Sequence, residues 1–197
     1  MTVKGSPPSR ERILESAVQL FARFGLERTT LADIARRSHL SKATLYHHFP
    51  DGKASIFHVA VEGVLERMWT LVETDLERVE APGDRLLAYA RMRIEVFDKQ
   101  IAVWGLDRDV WHDMKPWVET VLERHFERER ELLVGLLRRG HEAGVLRPCD
   151  PEIGARVIQA LLRGLTFDGP IETTAIDRKR ETDEVLALLR GGYFLVP

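Results

Sequence analysis

Residues 29–53, TTLADIARRSHLSKATLYHHFPDGK, start a helix, stop it and start another within two dozen positions. Thr30 with Asp33 three residues later matches an N-cap whose partner carboxylate returns to the backbone. Leu31, Ile34 and Ala35 then form an inward stripe with room for only about two turns before Ser38. Ser41 is a second cap, and Pro50 restricts the residue before it, so the next helix ends at His47 or His48. Upstream, Ile13, Leu14, Ala17, Leu20, Phe21 and Phe24 recur at helical spacing from Arg10 onward until Gly25 supplies a stop. Two short helices separated by three or four residues and laid on a longer first helix make a helix-turn-helix plan.

On the third helix Leu45 and Phe49 are four apart and face a core of Ile13, Leu20, Phe24 and Ile34. Lys42, Ala43, Thr44, Tyr46 and His47 are left on the other faces. A helix fits the DNA major groove, where its N-terminal side chains read base edges while hydroxyl, lysine and imidazole groups reach phosphates. Ser41, Thr30 and Lys53, each near a helix start, are expected as further contacts. Ala43 fits either a thymine methyl contact or a neutral residue that permits close approach. Arg36 and Arg37 are expected to be ordinary surface arginines. Charge agrees with this reading: residues 1–53 hold nine Lys or Arg against five acids, or +4, which leaves −6 for the rest of a chain of net charge −2.

The stretch ILESAVQLFARFGLERTT, continued by LADIARRSHLSKATLYHHFPDGKASIF, resembles the tetracycline-repressor (TetR) family of one-component bacterial regulators over roughly residues 10–60. The resemblance implies a head that reads palindromic double-stranded DNA as part of a homodimer, joined by the following helix to a variable, mostly helical ligand-binding body. It places Thr30 at the cap, Ile34 and Ala35 in the second helix, Leu45 and Phe49 in the core, and Tyr46 and Lys53 at contact positions. His39 departs from it, because that turn commonly carries glycine. A left-handed conformation would cost a histidine about 1 kcal/mol, although histidine is among the better tolerated exceptions.

The whole chain reads as all-α, with about nine helices and no convincing strand run. A leader, residues 1–9, precedes a helix-turn-helix domain at 10–50, which takes in the N-terminal part of the next helix. A long helix at 51–79 opens a ligand-binding and dimerisation domain at 51–197, whose further helices fall at 84–98, 101–114, 117–140, 151–167 and 180–190. No apolar run approaches the roughly 18 residues of a membrane helix, and MTVKGSPPSR does not read as a secretory signal, so no membrane partner and a cytoplasmic location are expected. A single cysteine, Cys149, excludes an intramolecular disulfide and a cysteine-rich zinc module. The adjacent His47 and His48 point about 100° apart and cannot share a metal from one helix face. With no phosphate loop or nucleophile elbow, no catalytic residue, cofactor or metal is expected. Two alternatives stay open: a metal- or protein-responsive regulator, and a non-catalytic nucleic-acid-binding or protein-interaction adaptor.

Two features of the body suggest partners. Trp104, Trp111 and Trp117 cluster beside Met114, and Tyr89 and Phe97 lie upstream, so these aromatics line a pocket for an apolar or aromatic effector, simply pack a core, or, in the tryptophan stretch, form a dimer surface. Arg93, Arg108 and His112 are the polar anchors available to such a pocket. Near the C-terminus, Ile153, Val157, Leu161 and Leu165 on one helix and Val185 and Leu189 on the next give more apolar width than one packing face requires. A four-helix interface between two copies would use it.

Overall fold

The computed structural model describes residues 9–105, 108–167 and 175–195. Among the described residues eight helices follow in order: α1 (Ser9–Arg28), α2 (Leu31–Ser38), α3 (Lys42–His48), α4 (Lys53–Glu77), α5 (Pro82–Trp104), α6 (Arg108–Glu142), α7 (Pro151–Thr166) and α8 (Ala175–Tyr193). An isolated antiparallel bridge between Leu146 and Phe194 is the β pairing among the described residues. The expected leader, Ser9 apart, lies outside the described residues.

One expected break is misplaced. The helices expected at 101–114 and 117–140 are not separate, because α6 runs through Pro116. An interior proline removes one backbone donor. Val110, Trp111 and Met114 before it and Val118 and Val121 after it are all buried at helical spacing, which holds both halves on one axis. The chain breaks instead at Gly105, whose φ of 58° is left-handed. Pro82 opens α5, where its missing N–H is no loss.

The chain divides into two compact units. One holds the chain up to Glu66 with Trp104–Val121, and the other holds Arg67–Val103 with the chain from Leu122 on. In the first unit Ile13, Ala17, Leu20, Phe21, Ile34, Leu45, Phe49, Ile56 and Phe57 are buried. Phe21 and Phe57 meet edge to face at 5.3 Å between ring centroids. Phe24 is not part of this core, being 40% exposed with the Arg23 guanidinium over its ring. Its helical phase fails because Gly25, at φ 79°, ψ 168°, turns the chain there. Thr29 Oγ1 secures that turn by donating to the Gly25 carbonyl at 2.8 Å.

The Gly25 conformation is accessible only to glycine. Gly25→Ala is therefore expected to lower stability by about 1–3 kcal/mol even though its Cβ would meet open space. Urea unfolding followed by circular dichroism would read the loss, and an unchanged midpoint would show that the chain leaves α1 by another route.

The second unit is built on Trp69, Val72 and Leu76 of α4, Leu86, Tyr89, Ala90 and Ile94 of α5, Leu133, Leu136 and Leu137 of α6, and Ala155, Ile158 and Leu162 of α7. Val185 and Leu189 of α8 complete it. Asp150 caps α7 by accepting from the Glu152 and Ile153 N–H groups.

Candidate nucleic-acid interface and effector site

Helix α2 is fastened at both ends. Asp33 N donates to Thr30 Oγ1 at 3.2 Å and Thr30 N donates to Asp33 Oδ2 at 3.1 Å, closing the expected capping box. The hydrogen bond from the Thr30 hydroxyl, then that from its backbone, holds the Asp33 carboxyl below its ordinary value. At the other end of α2, Ser38 Oγ donates to the Ile34 carbonyl at 2.7 Å, and Arg12 reaches from α1 to the Ser38 carbonyl at 2.5 Å. Ser41 Oγ caps α3 by accepting from Thr44 N at 3.0 Å.

His39 occupies the expected left-handed position, at φ 54° and ψ 42°, and is the one non-glycine residue with positive φ among those described. A side chain there carries a steric cost that glycine avoids. His39→Gly is expected to stabilise the protein by up to about 1 kcal/mol, less glycine's entropy cost. Comparing urea midpoints checks this, and a lower midpoint would show that the imidazole makes compensating contacts.

On α3, Leu45 and Phe49 are buried, while Lys42, Ala43, Tyr46 and His47 are exposed, Tyr46 by 51%. Thr44 is half-buried, as is His48, whose ring meets that of His47 edge-on. Thr30 and Ser41 are exposed but already engaged as caps. Lys53 is also engaged: its ammonium donates to the carbonyls of Leu26 at 2.7 Å and Glu27 at 3.2 Å, at the end of α1. Arg36 pairs with Asp33, and Arg37 donates to the Gln19 side chain. Both line an open groove of about 780 Å³ between α1 and α2, whose lining also includes Glu15 and Arg28.

The residues expected to form a pocket are divided between the units. Trp104, Arg108, Trp111, His112 and Trp117 lie in the first, where Trp111 is buried while Arg108, His112 and Trp117 are exposed. Tyr89, Arg93 and Phe97 lie in the second. There, Glu129 of α6, only 3% exposed, accepts from Tyr89 Oη at 2.6 Å and from Arg93 Nε at 3.0 Å through one oxygen. Its other oxygen accepts from Gln159 Nε2 at 2.9 Å, and that amide also donates to the Phe126 carbonyl at 2.7 Å. Burial, then the Glu129 charge, pushes the Tyr89 phenol well above its ordinary value, so it stays a donor. For Arg93, burial is the largest influence and acts downward, but the charge and hydrogen bonds of Glu129 and Tyr89 outweigh it and keep the guanidinium charged.

Glu129, Gln159 and Trp69 were not among the expected site residues. Glu129 did leave a signal: three residues after Phe126 and four before Leu133, it puts an acid on an apolar helical face. Trp69 carried none, because an aromatic residue at helical spacing reads as core.

A short helix pinned by a buried leucine, capped at its start and turned polar side outward defines a helix-turn-helix DNA-binding protein. Residues 13–60 match the family model for bacterial regulatory proteins, tetR family. The uncharacterized HTH-type transcriptional regulator YxaF of Bacillus subtilis is 29% identical over 106 residues, 54% of each chain. The HTH-type transcriptional repressor KstR2 of Mycobacterium tuberculosis is 23% identical over 193 residues, covering 93% of this chain and 92% of its own. A solved transcriptional regulator from Saccharomonospora viridis, in complex with choline, has the same fold, with a TM-score of 0.77 at 21% identity over 95% of this chain and 98% of that one. Residues 13–60 thus carry the DNA-binding domain of the tetR family of bacterial regulatory proteins, and the chain is a DNA-binding transcriptional regulator.

Proposed function

We propose that this chain is a repressor that binds a palindromic operator as a homodimer and is released by an apolar or aromatic small-molecule effector. The observation that carries the reading is the α3 face, whose Lys42, Ala43, Tyr46 and His47 stand free while Leu45 and two caps fix the backbone beneath them. Those four residues enter the major groove, and Thr30, Ser41 and Thr44 bring hydroxyls to the phosphates. Lys53, with its ammonium donating to two carbonyls, mainly holds α4 to the end of α1. The chain acts where its DNA is, in the cytoplasm, and performs no catalysis. A repressing role agrees with the naming of KstR2 as a repressor.

Dimerisation uses α7 and α8, with a narrower face than the sequence suggests. Val185 and Leu189 are spent in the protomer's own core, and Leu161 and Leu165 are half-buried against it. Ile153 and Val157 are exposed, followed on the same stripe by the exposed Ala160 and Gly164. Leu188 of α8 is exposed as well, next to Ala187. Apolar and small residues on two neighbouring helices suit close packing against a second copy.

Release follows if the effector prefers an arrangement of the second unit that does not suit the operator. The helices α4 and α6 contribute residues to both units, so a shift in either one changes the population of DNA-competent dimers. Selection from a random duplex library by the ligand-free protein tests the whole reading. The expected pool is enriched in one palindrome with half-sites about one helical turn apart. Recovery of no shared sequence by a folded dimer would overturn it.

A further inference from the structure

We infer that the polar cluster of the second unit is a recognition site for the carboxylate of an amphipathic organic acid, received by Arg93 Nη1 and Trp69 Nε1. The inference rests on the reading that the second unit holds the effector, and it names that effector's chemical class.

The buried side-chain atoms left without a hydrogen-bond partner among the described residues are Trp69 Nε1, Arg85 Nε and Arg93 Nη1. All three are donors. A buried donor with no acceptor is destabilising, and more so when it is charged, so each needs a reason for being there. Arg85 stands two turns before Arg93 on α5, roughly 12 Å along the axis, and is too far to share one small acceptor with it.

Trp69 and Arg93 converge on one tyrosine. The Trp69 and Tyr89 rings meet edge to face at 6.5 Å. Arg93 lies one turn after Tyr89 on the same helix and shares Oε1 of Glu129 with it. Trp69 is 7% exposed and the Arg93 side chain 14%, so bulk water does not satisfy these N–H groups. Glu129 cannot serve them either. Its carboxylate already accepts three hydrogen bonds, and Arg93 meets it through Nε, leaving Nη1 on the guanidinium edge turned away from that bond.

The polarity of the unpaired atoms selects the ligand. Two donors ask for lone pairs, and one of the donors is a charged guanidinium, whose bonds to an anionic oxygen are about twice as strong as neutral ones. A cationic head is disfavoured by the Arg93 charge. The Trp69 face that might otherwise receive a cation is already covered by the Arg128 guanidinium at 4.8 Å. Phe97, with its ring 5.9 Å from the Arg93 guanidinium, supplies an apolar surface beside the site for the rest of the molecule.

Titration calorimetry on the full chain tests this with octanoate, decanoate and 4-phenylbutyrate, each matched by the corresponding alcohol and trimethylammonium compound. The carboxylates are expected to bind at least tenfold more tightly than their partners. Trp69→Phe, which keeps the ring and removes the N–H, should weaken carboxylate binding about tenfold, whereas Trp117→Phe, at an exposed position, should not. Arg93→Lys, which keeps the charge facing Glu129, should weaken it as well. Absence of binding by all three carboxylates overturns the inference. So does equal or tighter binding of the alcohols or ammonium compounds; if these also release the operator, the effector reading survives. Carboxylate binding that is sensitive to Trp69→Phe but leaves operator affinity unchanged upholds the site and overturns the effector reading instead.

Discussion

Lys42→Ala combined with Tyr46→Phe is expected to lower operator affinity about 100-fold, since each lost contact to a base edge or phosphate is worth roughly 1–2 kcal/mol. Both side chains are exposed on α3 and neither belongs to the core, so the fold should survive. Fluorescence anisotropy on the selected operator measures the loss, with circular dichroism and sedimentation confirming a folded protein of unchanged assembly state. The two substitutions should also differ in character. Removing the Lys42 charge should reduce the salt dependence of binding, whereas removing the Tyr46 hydroxyl should leave that slope nearly unchanged. Full affinity in the double variant would remove α3 from the role of reading helix.

Glu129→Ala is expected to cost about 3–5 kcal/mol of stability, because one truncation leaves a buried cation, a phenol and an amide without their shared acceptor. Chemical denaturation would show the midpoint falling, and a near-neutral result would mean that water enters to replace the carboxylate. The double variant Glu129→Leu with Arg93→Met should recover much of the loss, since exchanging a whole buried pair for apolar groups is often neutral. The cluster also has a pH signature. Tyr89 is raised above its ordinary value of 10.0, so its contribution is complete below that value and is lost as pH rises through the folded value.

The head was legible because its structure is local. Thr30, Asp33, Ser41 and Pro50 act on backbone within a few residues of themselves, and the caps formed where the spacing placed them. The left-handed turn at His39 was expected from the family resemblance, in which glycine commonly stands at that position. Where a local signal competed with an apolar stripe, either could win. Pro116 marked a boundary that the apolar stripe of α6 overrode, and Phe24 fitted a periodicity that the Gly25 turn cut short. The hydrogen bonds of Lys53 to the Leu26 and Glu27 carbonyls were not legible, because those partners lie more than 20 residues away in the chain.

The amino-acid sequence by itself determined the all-α class, the capped turn and the exposed polar face of α3, all of which depend on spacings of three or four residues along one helix. Only the tertiary structure decided how the body's residues are used. It drew Tyr89, Arg93, Glu129 and Gln159 from three helices into one buried cluster, left Trp117 exposed, and spent Val185 and Leu189 inside the protomer. Helical periodicity says which residues share a face but not which other helix that face meets. That choice follows from how the apolar faces fill space together, and residues 30 to 40 positions apart become partners only once it has been made.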